Sequence, residues 1–113
     1  MVQYLYKTVT IASGESLSGS IDFSSFTPVA LVMPSAWTAA SITFQASHNN
    51  STWGNIYDKD GTEYTLTTAA SRYVLLNPAD FASVRGLKVR SGTAASAVNQ
   101  EAARTITLVL REV

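Results

Sequence analysis

"ITFQASHNNSTWGNIYDKDGTEYTL", residues 42–66, holds most of the side chains able to do chemistry. It contains the single histidine, one of two tryptophans, and acids at 58, 60 and 63. Two readings compete for it. Asp58-Lys59-Asp60-Gly61 opens like a calcium loop, with oxygen ligands at alternate positions and a glycine at the bend. The other reading is a set of short strands joined by tight turns. Ile42, Phe44 and Ala46 alternate with Thr43, Gln45 and Ser47, the period of a strand with one buried face. Asp60-Gly61 falls where two such runs meet, and Asp-Gly is favoured where a tight turn needs positive φ. An EF-hand loop needs twelve residues ending in a glutamate between two helices, whereas the twelfth residue from Asp58 is Ala69. The hairpin reading is preferred, and no metal or other cofactor is expected.

The same period extends outward in both directions. Tyr4, Tyr6, Thr8 and Thr10 alternate with Leu5, Lys7, Val9 and Ile11. Short strands follow at LSGSIDF (residues 17–23) and PVALVM (residues 28–33), the latter apolar enough to be buried on both faces. Beyond the quoted stretch, strands are expected at 72–76, 84–90 and 104–113, and within it at 53–57 and 62–67. Asn77-Pro78 predicts one helical turn, with Asn77 as N-cap and Pro78 at its first position. Residues 91–103, small and polar, read as a long loop or short helix. The sum is an all-β chain of eight or nine short strands with at most one short helical turn: a single-domain β-sandwich, jelly-roll-like, over 1–113. Residues 1–12 are either a strand of that sandwich or an arm reaching a neighbour. Trp37, Phe44 and Leu87 are expected in the core.

Composition narrows the function. Eight Lys and Arg balance eight Asp and Glu, and charged residues are only 14% of 113. Nucleic acid needs a concentrated basic surface, so it is not an expected partner. No window approaches the length of an apolar membrane span, and no basic segment followed by an apolar run opens the chain. A weakly charged surface favours association. There is no cysteine, and no nucleophile elbow, phosphate loop or H-E-x-x-H pattern, so the chain is not expected to be an enzyme. His48 lacks a nucleophile and an orienting acid, and reads as an exposed loop residue. With Asn49 and Trp53 it makes the alternative site, an aromatic platform for a glycan. Arg85, Lys88 and Arg90 are spaced as one solvated or partner-facing strand edge.

"MPSAWTAASITFQASHNNSTWGNIYDKDGTEYTL", "RYVLLNPADFASVRGLKVRSGT" and "VNQEAARTITLVLRE" together resemble small structural proteins from the virion gene clusters of tailed bacteriophages. The resemblance covers residues 16–113. It implies a non-enzymatic virion component, a capsid decoration (cement) protein bound between major capsid protein subunits, made in the host cytoplasm. The alternative is a tail or fibre module that binds host carbohydrate. It further implies a homo-oligomer, a trimer where the protein sits on a local three-fold axis. Contacts are expected from Tyr4 and Tyr6 on the first strand, from Arg90, and from Asn99 and Gln100 in the 91–103 loop.

Overall fold

The computed structural model describes residues 2–113. Eight strands form: β1 (Tyr4–Ile11), β2 (Leu17–Asp22), β3 (Phe26–Val32), β4 (Ile42–Ser47), β5 (Gly54–Asn55), β6 (Tyr73–Leu75), β7 (Gly86–Ser91) and β8 (Arg104–Glu112). They make two four-stranded antiparallel sheets, ordered β1-β8-β3-β6 and β2-β7-β4-β5. Strand 1 pairs with 8, 2 with 7, 3 with 6 and 4 with 5. The chain is thus a long antiparallel ribbon, bent between β4 and β5 and rolled so that its two layers face each other. That is jelly-roll connectivity. The bend of the ribbon lies within residues 42–66.

The alternation of side chains decides what lies between the sheets. Val9 and Ile11 from β1, Leu31 from β3, and Ile106, Leu108 and Leu110 from β8 face Ile21, Ile42, Phe44, Leu87 and Val89 of the second sheet. Phe44 and Leu87 are completely buried, as expected. Trp37 packs against this cluster half-buried, its indole N–H donating to the Ala40 carbonyl at 3.1 Å. Phe81 is carried inward by a single 3-10 turn, Pro78–Phe81, whose N-terminus is capped by Asn77 accepting from the Ala79 N–H. Phe44, Tyr64 and Phe81 form a trio of tilted and edge-on rings with centroids 5.6–6.0 Å apart, the geometry aromatic quadrupoles favour.

Two irregularities follow from the sequence. Pro28 has no N–H to give the ladder, and the β3–β8 register shifts between Pro28 and Ala30. In β2 the register shifts between Leu17 and Ser20, where Ser18 Oγ accepts the Val89 N–H at 2.9 Å in place of a backbone carbonyl. Residues 4–11 are no free arm: β1 pairs with β8 from Tyr4 to Ile11 and forms an edge of its sheet. Lys7 occupies an inward-facing position of that edge strand and donates to the Asp22 carbonyl at 3.0 Å.

Expected strands at 53–57 and 62–67 are shorter than their alternation suggested. They reduce to β5 and to isolated bridges, Tyr57 with Glu63 and Ile42 with Leu66. Segment 92–103 has no helix; a bridge from Gly92 to Ala97 closes its first turn. Gly92 sits at φ +87, and a Cβ there would fall 2.6 Å from the Ser96 carbonyl oxygen.

Candidate interaction face

The acidic cluster is a hairpin. Tyr57 and Glu63 are bridged, the Asp58 N–H donates to the Thr62 carbonyl at 2.9 Å, and Gly61 stands at φ +86. Asp58 directs its carboxylate back into the turn, accepting the N–H groups of Asp60 (2.9 Å) and Thr62 (3.0 Å). Glu63 points elsewhere, so the three acids do not converge; among the described residues no group of three His, Asp or Glu side chains is placed to hold a metal ion. Open space surrounds Gly61, so its left-handed backbone alone sets the cost of a side chain. Gly61→Ala is expected to lose about 1 kcal/mol in chemical denaturation. No loss there would mean the turn relaxes to another type.

Glu63 is a structural acid. Its carboxylate accepts from Arg90 Nη1 at 3.2 Å and from the Ala94 N–H at 3.1 Å, tying the hairpin to the loop after β7. Arg90 also donates to Asn55 Oδ1 and Thr43 Oγ1, and only 7% of it is exposed. The expectation of Arg90 as a partner-facing edge residue is therefore corrected. β7 is an interior strand, and the 57–63 hairpin, through Glu63, covers its outer face there. Gln100 requires the same correction. Fully buried, it donates to the Thr38 carbonyl (3.0 Å) and Ser91 Oγ (2.7 Å) and accepts from the Thr38 N–H (2.8 Å) and Arg104 Nε (3.1 Å). Both donors and both lone pairs of its amide are used within the chain. The loop around it is bolted to the sandwich, and only Asn99 of the expected pair faces solvent.

The residues of the expected glycan platform are in part engaged within the chain. Asn49 spends its side-chain oxygen inside the bend of the ribbon, accepting from the Ser51 and Thr52 N–H groups at 2.9 and 2.8 Å. Trp53 is half-buried, and Lys88 Nζ sits 4.5 Å from its ring centroid, a cation–π contact over one face of the ring. His48 is exposed. Asn50 and Trp53 lie so close to Gly86 that a Cβ there would come within 1.9 Å of Asn50 Oδ1 and 3.0 Å of the Trp53 ring. These groups hold the bend against β7.

Tyr4 and Tyr6 are where the expectation placed them, exposed, and the register reveals what they belong to. On the outer face of the first sheet, Tyr6, Val109, Ala30 and Leu75 are cross-strand partners in one row over four strands. The next row is Thr8, Thr107, Val32 and Tyr73; on the other side, Tyr4 lies beside Arg111. Leu75 is 80% exposed, Tyr6 71%, Tyr4 65% and Tyr73 62%. Arg111 is the one charge in these rows. The second sheet dresses its outer face differently, with a row of Ser20, Lys88, Gln45 and Asn55. Ala30 in the middle of the row is buried, so Tyr6 and Leu75 stand exposed on either side of it; exposed apolar side chains gathered on one face mark interaction sites in soluble proteins. Sequence reading missed Leu75 and Tyr73, because a three-residue strand gives too little alternation to show which face is outward.

Fold and face together define a jelly-roll sandwich with one water-adapted outer face and one apolar outer face. No family model and no curated protein matches the chain. Among solved structures, the crystal structure of SPBc2 prophage-derived protein YomS is similar, with a TM-score of 0.64 and 12% identity. The match covers 99% of this chain and 96% of that one, so the whole sandwich is shared as a fold.

Proposed function

We propose that this chain is a non-enzymatic bacteriophage virion protein, a decoration protein that self-associates, as a trimer, and seats on the capsid between major capsid protein subunits. The observation that carries this reading is the apolar row from Tyr6 to Leu75. Burying such a row against a neighbour is favourable by about 25 cal/mol per Å² of apolar surface, and it needs no charged partner. Several equivalent faces in one oligomer would add avidity on a symmetric shell. YomS is itself prophage-derived, and this likeness supports a phage source together with the sequence resemblance of residues 16–113.

Sedimentation analysis and capsid binding test the reading. The purified chain is expected to sediment as an oligomer, to add to capsids that lack it and to raise their resistance to heat. Leu75→Glu, which sets a charge in the middle of the row, is expected to weaken self-association at least about tenfold through the cost of burying an unpaired carboxylate. Its melting should stay that of the folded monomer. A strictly monomeric chain with no affinity for its capsid, found at a tail tip and binding glycans, would overturn the proposal in favour of the carbohydrate-binding alternative.

A further inference from the structure

At the end of the sandwich where β3 and β8 meet the 3-10 turn, Phe26, Thr27, Pro78, Phe81, Val84 and Arg111 line a cavity of about 380 Å³. The pocket is half open to solvent, and its volume is in the range of small-ligand sites. The walls do not depend on an occupant for their shape. Phe81 is held edge-on to Phe44, 5.8 Å between centroids, and Thr27 Oγ1 donates to the Pro78 carbonyl at 3.4 Å, linking β3 to the 3-10 turn.

Arg111 carries the only charged side chain of the lining, which Val113 also joins. Several other arginines find partners within the chain: Arg85 pairs with Asp22, Arg90 with Glu63, and Arg104 bonds Gln100 and Thr38. Arg111 forms no ion pair among the described residues. Acidic side chains on nearby segments are committed or turned away. Asp22 is held by Arg85, Asp80 accepts the Tyr64 hydroxyl at 3.0 Å, and Glu112 follows Arg111 on the opposite side of the strand. Arg111, half-buried and without an acidic side-chain partner among the described residues, is open to a carboxylate from another molecule, and the half-exposed Phe26 and Val84 beside it offer apolar cover to the residue that carries it.

We infer that this cavity is a socket for an apolar side chain followed by a carboxylate, presented by an acidic, apolar segment of a partner protein. Arg111 belongs to the same cross-strand row as Tyr4, so a segment seated there would run onto the apolar face. The socket does not depend on which virion part, if any, the chain binds. Guanidinium takes a carboxylate through paired N–H donors, while the aromatic walls take the hydrocarbon.

The test is an amide-shift titration of the full chain with two capped peptides, Ac-Ala-Leu-Asp-Ala-NH2 and the same peptide with Asn for Asp. Saturable shifts are expected at 24–27, 78–84 and 111, with the Asp peptide bound about three- to fivefold more tightly, the size of a half-exposed ion pair. Arg111→Gln is expected to abolish that preference without changing the melting temperature, and Arg111→Lys to keep part of it. Arg111 lies on the outer face, so both variants should fold, and their spectra verify it. Shifts that never localise to the cavity, equal affinity for the two peptides, or a preference that survives Arg111→Gln would each overturn the inference.

Discussion

Phe44→Ala is expected to lower the unfolding free energy by about 3–5 kcal/mol, a large part of the roughly 5–15 kcal/mol typical of a domain. Phe44 is wholly buried in β4 and touches rings from two separate segments, Tyr64 from the hairpin region and Phe81 from the 3-10 turn. Removing it opens a void among groups that arrive from three places along the chain, so no single backbone shift can close it. Urea denaturation followed by tryptophan fluorescence is the measurement, with an unchanged slope expected if unfolding stays two-state. A loss below about 1 kcal/mol would mean that the ring trio relaxes around the gap, and that β4 contributes less to the core than its burial implies.

The second large effect is expected from Arg90→Met, at about 3 kcal/mol or more. The variant leaves the Glu63 carboxylate largely buried, with the Ala94 N–H still donating to it and no cation beside it. Asn55 Oδ1 also loses its guanidinium donor. Replacing Glu63 by Met as well removes the orphaned charge, so the double variant is expected to recover much of the loss. That recovery separates the cost of a stranded charge from the worth of the pair itself. A coupling below about 0.5 kcal/mol in the double-mutant cycle would describe a surface pair, and would count against a roofed site for Arg90.

Tyr64 shows a milder version of the same physics. Burial, and then the Asp80 carboxylate that accepts its hydroxyl, push its pKa up to about 12. The stability this group contributes is complete below the ordinary tyrosine range and is lost as pH rises from about 10 toward 12.

What could be read in the sequence was whatever alternation encodes. Val9 and Ile11, Phe44, Leu87, and Ile106 to Leu110 announce their buried faces because a strand must send every second side chain to the same side. The Asn77-Pro78 turn and the Gly61 hairpin were legible because each depends on a backbone preference local to a few residues. Arg90 and Gln100 were not. Their burial depends on Glu63 and Thr38, 27 and 62 positions distant, and a polar residue's surroundings are set by whichever strand lands beside it. Sheet order was equally hidden, since a period of two tells which face of a strand is apolar but never which strand is its neighbour.

Lys7 has a bearing on how copies of this protein coexist. With a formal net charge of zero, nothing long-ranged holds them apart in a crowded solution. An eight-residue edge such as β1 could extend its sheet into a second molecule, and that molecule into a third, as an open-ended ribbon. Lys7, reaching inward to the Asp22 carbonyl, places a solvated ammonium on the side such a ribbon would have to dehydrate. Growth along this edge would have to strip water from that ammonium, a cost that the exposed side chains of Tyr6 and Leu75 on the sheet face do not carry. A charge at that inward position is the kind of device by which edge strands resist open-ended pairing into fibres.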